Sequence, residues 1–444
     1  MFRLLRSLFL TTRLFTVIAV VVILFVGSFV IGSFYLLPKL IFYLLLSALT
    51  TDLLLLYRAR KGLDGRRTLA DKLSNGDENE IAIHLESYYA FKTSLRIFDE
   101  TPHQFQRRDI EFNLELTAGE RKSIHYFLRP VKRGEYSFGS VNVLVHSPLR
   151  LIARRFKFSA NKNVPVYPSY IQMRKYELLA IHHRLTEGGI KKIRKIGQNQ
   201  EFELIKDYLA GDDIRTINWK ATARRSKLMV NQFQDERSQQ VYSLIDKGRV
   251  MQMPFNGMSL LDYAINASLA ISNVAIRKSD KAGLLTFQDR VGSFLRAGRM
   301  NNQMASIQRT LYNEKTAFLE TDYSALYASV RKSISHRSLL LLFTNFESIH
   351  GLHRQLPYLQ SINQSHLLVV IFFENTELKG LIDAKANGLK EIYYQAVAER
   401  FDYEKRLIVN ELRKHGIQSI LTPPQKLTVN TINKYIELKA RNLI

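Results

Sequence analysis

From Leu14 to Leu37 the chain contains no Asp, Glu, Lys or Arg. A run of that length suffices to cross a hydrocarbon core, which needs roughly 20 apolar residues in a helix. Pro38 and Lys39 interrupt the run, and Leu40 to Tyr57 follow as a second apolar segment broken only by Asp52 near its far end. The pattern predicts a membrane hairpin over residues 1–67, with transmembrane helices at about 14–37 and 40–57. Its first apolar core exceeds the roughly 7 to 15 residues of a signal peptide, and no small-x-small cleavage site follows it. Arg3, Arg6 and Arg13 precede the first helix, Arg58, Arg60, Lys61, Arg66 and Arg67 follow the second, and Lys39 alone lies between them. That bias places both ends in the cytoplasm, making this a multi-pass protein of the inner (cytoplasmic) membrane whose soluble domains face the cytoplasm. Asp52, so near its helix end, is expected to reach the headgroup region.

Over residues 76–168 the period changes to short alternating stretches such as IAIHLES, IEFNLELTAGE and YSFGSVNVLVHS, bounded by Gly, Pro, Asp and Asn. Period-two alternation with regular turns predicts an antiparallel β-sandwich serving as a spacer. Residues 169–238 then read as a basic connector. It holds GGIKKIRKIGQ from Gly188 to Gln198 and YLAGDDIRTINWKATARR from Tyr208 to Arg225, which includes the chain's single tryptophan. From 239 to 444 strands alternate with amphipathic helices, the signature of a doubly wound, mostly parallel α/β domain. Such sheets bind ligands at the carboxyl ends of their strands, where Asp246, Asn345 and Glu347 are expected to lie.

The spacing of Tyr208, Gly211, Asp212, Asp213, Arg215, Ile217, Asn218, Trp219, Ala223 and Arg224 resembles the hallmark of the domain-of-unknown-function 58 family. Members are membrane-anchored bacterial proteins with a von Willebrand factor A-like domain, linked to MoxR-type AAA+ ATPases. The resemblance implies a von Willebrand factor A-like fold for residues 239–444. It also implies a non-enzymatic scaffold that works with a MoxR-type AAA+ ATPase and other von Willebrand factor A-type proteins in assembling or maturing protein complexes, without a cofactor. It further invites a metal-ion-dependent adhesion site, whose Asp-x-Ser-x-Ser pattern supplies the oxygens that a hard cation requires. The matching residues are Asp246, Gly248 and Val250, which lack both hydroxyls, and Asn345 stands where an acidic residue often lies. The site is therefore expected to be degenerate, with Asp246 capping the adjoining turn through backbone N–H groups. A metal-dependent adhesion module or hydrolase using Asp246, Asn345 and Glu347 is the alternative.

The motif itself has three readings, of which a paired-carboxylate hydrolase at Asp212 and Asp213 is disfavoured because adjacent residues on a turn seldom point at one reacting atom and no histidine lies nearby in sequence. Asp212 and Asp213 suit a turn, and Arg215 or Arg224 could pair with them while stacking on Trp219. Such a knot would clasp two domains together; alternatively the same polar face meets a partner. Composition narrows the chemistry further. Cysteine is absent, which excludes thiolate metal sites and cysteine nucleophiles. Lys and Arg number 64 against 40 Asp and Glu, a formal +24, which suits anionic lipid beside a bilayer or an acidic partner. No phosphate-binding Gly-x-x-x-x-Gly-Lys-Ser/Thr pattern is present, and without a reader motif nucleic acid is not expected. His182, His183, His350 and His353 read as surface or helix-face residues, lacking the Glu of a His-Glu-x-x-His motif.

Overall fold

The computed structural model describes residues 7–30, 35–59, 61–107, 110–159, 161–181, 201–209, 214, 217–234, 238–300, 302–383 and 388–443. The chain divides into two compact units, Met1–Tyr167 and Pro168–Ile444.

In the first unit the apolar runs form helices Thr12–Val30 and Leu36–Arg58, both long and apolar enough to cross a membrane. Phe25 meets Tyr35 and Phe42 edge-on at centroid distances of 6.3 and 6.4 Å, tying the two helices together. Pro38 does not interrupt the second helix, as expected from sequence, but lies in its first turn. Proline is tolerated there because that N–H has no intrahelical acceptor.

The strands begin at Leu63–Leu69, ahead of the boundary expected at 76, and this strand pairs antiparallel with Asn79–Ser87. Alternate side chains of Asn79–Ser87 are buried, as period-two patterning requires. Three sheets, of five, three and three strands, enclose one core that includes Leu73, Ile81, Ile83, Tyr136, Phe138 and Val143. Arg67 bridges the core: it pairs with the buried Asp99 carboxylate at 2.5 Å, donates to Gly139 O at 2.9 Å and lies 5.0 Å from the Phe138 ring centroid.

Both ends of the helix pair are built into these sheets. Leu8–Leu10, just before the first helix, forms an edge strand against Ile152–Arg154. At the other end, Asp52 is fully buried and does not lie at a headgroup. Its carboxylate accepts the N–H groups of Leu151 and Ile152 at 3.1 and 3.0 Å and the Ser147 hydroxyl. The Leu56 carbonyl accepts Tyr89 Oη at 3.1 Å and Arg154 Nη1 at 2.7 Å. The physical reason is local: at the start of strand Ile152–Phe158 the buried amides of Leu151 and Ile152 require an acceptor, and Asp52 supplies it.

The second unit is organised around a six-stranded sheet. In chain order its strands are Gln240–Asp246, Lys281–Phe287, Val291–Gly298, Leu339–Phe343, Leu367–Phe373 and Gln418–Thr422. Their spatial order is third, second, first, fourth, fifth, sixth, and only Val291–Gly298 runs antiparallel. Val241 and Ile245 face a core shared with helices Leu260–Arg277, Gln303–Asn313 and Leu427–Ala440. Tyr242 and Leu244 face the opposite core, with helices Tyr323–Ser333, Ile349–Ser365 and the end of Leu389–Lys414. The doubly wound arrangement expected from sequence is present. The order of strands along the chain reverses between the first and fourth, which run parallel, and the carboxyl edge at such a switch point is where sheets of this kind bind ligands.

The expected connector opens with a helix that belongs to the second unit. Helix Tyr170–Ile181 packs on Leu260–Arg277, where Glu177 receives Asn273 Nδ2 at 3.1 Å and pairs with Arg277. Nearby, Ser169 N donates to Asn266 Oδ1 at 2.9 Å. The GGIKKIRKIGQ stretch, His182 and His183 lie outside the described residues.

Candidate functional site

Two regions bear the residues singled out in the sequence. The first is the Gly-Asp-Asp and tryptophan motif. Strand Glu201–Asp207 pairs antiparallel with Met229–Gln234, and helix Trp219–Arg225 lies between them in sequence. Asn218 caps that helix, its Oδ1 accepting Ala221 N at 3.0 Å while its Nδ2 donates to Asn231 Oδ1 at 2.7 Å. Its own N–H donates to Met229 O at 2.8 Å, and Thr222 Oγ1 accepts Met229 N at 3.0 Å. Asparagine suits this position because its short side chain reaches the free amides of a first turn. Tyr208 N closes the ribbon onto Leu228 O at 2.8 Å, and Ser226 ends the helix in the left-handed region at φ 52°.

Gly211, Asp212, Asp213 and Arg215 lie outside the described residues. Among the motif residues that are described, Trp219 is 69% exposed, so its indole is not buried in a clasp. Ile205, Leu209, Ile214 and Leu228 are also exposed, interleaved with Lys206, Lys220, Arg224, Arg225 and Lys227. Ile205, Asn218, Lys220, Ala221, Arg224, Arg225 and Met229 line a shallow open hollow. The motif's polar residues build a scaffold that leaves apolar and cationic side chains in solvent.

The second region is the carboxyl edge at the switch point. Asp246 ends its strand fully buried. Its Oδ1 accepts Gly248 N at 2.8 Å and Thr321 Oγ1 at 2.7 Å, and its Oδ2 accepts Thr344 Oγ1 at 2.7 Å. Tyr323 Oη adds a 2.8 Å bond to Thr344 Oγ1. Burial pushes the Asp246 carboxyl up, while the Thr344, Thr321 and Gly248 donors draw it down; burial dominates. Beside it Lys247 Nζ pairs with Glu314 at 2.7 Å, both side chains buried.

The two missing hydroxyls of the Asp-x-Ser-x-Ser pattern are thus matched by two from distant loops, Thr321 and Thr344. A Cβ on Gly248 would meet Thr321 Oγ1 at 1.9 Å, so a serine does not fit where the pattern calls for one. Val250, in the short turn Arg249–Met251, packs against the core instead of facing Asp246. Asn345 turns its Oδ1 to Lys405 Nζ at 2.6 Å. With both Asp246 oxygens engaged by protein donors and Asn345 bound to an ammonium, these residues do not fit a divalent cation. His350 and His353 lie on the exposed face of helix Ile349–Ser365, where His353 comes within 3.8 Å of Glu411.

Lys405, Thr321 and Thr344 escaped the sequence reading. Lys405 sits amid a long amphipathic helix, and the threonines lie outside any motif. No local pattern marks a residue whose importance comes from which loop ends converge on one sheet edge.

The model of the family described as "Protein of unknown function DUF58" matches residues 205–407. Over 127 residues the chain is 32% identical to the uncharacterized protein YeaD of Bacillus subtilis (strain 168), a match covering 28% of this chain and 31% of that one. The chain therefore spans about a third of the length of that curated relative. Among solved structures, the conserved hypothetical protein BatB from Bacteroides thetaiotaomicron is similar with TM-score 0.31 and 10% identity, covering 46% of this chain and all of that one. A PapD-like domain of human CEP192 is similar with TM-score 0.19 and 13% identity, covering 24% of this chain and 87% of that one. Neither likeness is close enough to carry an argument about fold or function. Residues 205–407, which hold the tryptophan ribbon, Asp246, Asn345 and Lys405, are thus the part of the chain that is similar to the DUF58 family of proteins of unknown function.

Proposed function

We propose that this is a non-enzymatic, membrane-anchored interaction protein that docks a partner on the ribbon and helix of residues 205–228. The observation carrying this reading is the exposure of Trp219, Leu209 and Ile214 on a ribbon and helix held by the hydrogen bonds of Asn218. Tryptophan and arginine are enriched among residues that dominate binding energy, and a large exposed apolar group on a rigid frame is what an interface requires. The interleaved lysines and arginines suit an acidic partner surface. The partner implied by the motif's resemblance is a MoxR-type AAA+ ATPase, with other von Willebrand factor A-type proteins, in the assembly or maturation of complexes.

The strand order, with its antiparallel third strand, supports a von Willebrand factor A-like reading of the second unit. In this reading the adhesion site is a closed hydrogen-bonded knot around Asp246, so recognition proceeds by surface shape and charge. The helix hairpin crosses the inner membrane twice, and its flanking arginines and lysines keep both ends, and with them the soluble units, in the cytoplasm.

The test is affinity purification of the tagged full-length chain from cross-linked native membranes with a slowly hydrolysed ATP analogue present, followed by mass spectrometry. Recovery of an AAA+ ATPase with wild type, and its loss with Trp219→Ala and Arg224→Glu, is the expected result. Recovery that is indifferent to both substitutions removes the docking surface from this ribbon.

A further inference from the structure

One cavity at the carboxyl edge has no part in that reading. It encloses about 340 Å³, within the range of small-molecule sites. It opens where the first, fourth and fifth strands of the sheet end, under helices Thr376–Asp383 and Leu389–Lys414. Its walls are predominantly apolar, formed by Met253, Phe255, Leu260, Phe373, Leu378 and Phe401. Lys405 lines it as well.

The electrostatics of this lysine are unusual. Its Nζ donates to Asn345 Oδ1 at 2.6 Å and to Phe346 O at 2.5 Å, both neutral acceptors. An ammonium has three N–H donors, so one remains after these two, with the Phe372 ring centroid 5.7 Å from Nζ. The other acids of the lining are matched elsewhere: Glu374 pairs with Lys379, and Asp402 with Arg406 at 2.8 Å. Glu347, exposed at the rim, acts on Lys405 only through its field. Burial draws the Lys405 ammonium down to about 8, against the opposing influence of Glu347. A cation is thus held beside an apolar chamber by neutral groups, with no carboxylate bonded to it among the described residues.

We infer that this cavity binds a small molecule with an apolar body and a single carboxylate, the carboxylate accepting the remaining Lys405 N–H and the body filling the chamber. A charge-assisted bond in a water-poor pocket fixes orientation, and the apolar walls supply the affinity. An amine would meet the ammonium with like charge, and an alcohol would leave that charge uncompensated.

The experiment uses the full chain in lipid nanodiscs, with empty nanodiscs subtracted, and equilibrium dialysis against octanoate and 4-phenylbutyrate. Octanol and 4-phenylbutanol are the neutral controls. Saturable, one-to-one binding of a carboxylate, at least roughly tenfold tighter than its alcohol, is expected, this being the scale of one charged hydrogen bond. Saturation by octanoate places the source among acyl chains, and saturation by 4-phenylbutyrate alone places it among aromatic acids. Raising the pH from 7 to 9.5 should weaken binding by roughly tenfold as Lys405 loses its proton. The other charged groups around the cavity are the rim pairs Glu374–Lys379 and Asp402–Arg406, and Glu347.

Lys405→Met should abolish the preference for carboxylate. Leu378→Trp, placed on a surface helix and pointing its bulk into the cavity, should block acid and alcohol alike without touching the charge. Equal binding of acid and alcohol, binding unchanged by Leu378→Trp, or no saturable binding of either acid overturns the inference. None of these outcomes bears on the partner surface of residues 205–228.

Discussion

Asp52 offers the sharpest test of how the apolar helices join the β-sheets. Its carboxylate accepts two buried amides, Leu151 and Ile152, and the Ser147 hydroxyl. Asp52→Ala removes all of these at once and leaves two amides in a dry interior. Each bond to a charged group is worth about 1.5–3 kcal/mol and each orphaned buried donor costs about 1–3 kcal/mol. These overlap, and removing one partner from a buried charged cluster typically costs about 3–5 kcal/mol in all. That is a large part of the roughly 5–15 kcal/mol holding a domain together. Hydrogen exchange by mass spectrometry, on the full chain in nanodiscs, reads this directly. At about 1.4 kcal/mol per tenfold, peptides spanning 147–152 should lose protection by roughly 10² or more, and Leu8–Leu10, paired to the same strand, should loosen with them. Asp52→Asn keeps one acceptor oxygen and should fall between. If Asp52→Ala leaves the exchange of Leu151 and Ile152 unchanged, the carboxylate is not their acceptor and the joint must be reassigned to the Leu56 carbonyl contacts.

Three further outcomes follow from the second unit. Gly248→Ser should lower stability by about 1–3 kcal/mol through overpacking against Thr321 without creating Mg²⁺ affinity by calorimetry; adding Thr321→Ala should recover most of the loss, and no recovery would place the strain elsewhere. Because burial holds the Asp246 carboxyl above its ordinary value, the stability this group contributes is complete below the unfolded-state pKa and declines as pH rises through the folded one. Melting Asp246→Asn beside wild type from pH 4 to 8 should therefore show wild type losing ground as pH rises, and parallel curves would refute the assignment. Trp219→Ala, at a 69% exposed site, should change unfolding free energy by less than about 0.5 kcal/mol while abolishing partner capture; a markedly lower melting temperature would restore the clasp.

Long-range pattern was readable. Two apolar runs, period-two stretches and alternating strands and helices announced the hairpin, the sheets and the doubly wound unit, because each rests on burial periodicity that a linear string displays. Boundaries were less readable where chain ends join distant partners. Leu8–Leu10 carries no strand signal of its own, and it becomes a strand only because the edge of Ile152–Phe158 offers it unpaired backbone groups.

The candidate site divides along the same line. Asp246 at a strand end and the capping bond to Gly248 were legible, since both depend on neighbours in sequence. The sequence could also show that Asp-x-Ser-x-Ser was broken at Gly248 and Val250. It could not show that Thr321 and Thr344 bring hydroxyls back to the same carboxylate, that Asn345 answers to Lys405, or that Asp52 answers to a corner nearly a hundred residues away. Those pairings cost loop closure and are stabilised only once the sheet has fixed which strand ends lie side by side. Chain pattern determined what this protein is built from, and tertiary structure decided which polar groups would meet.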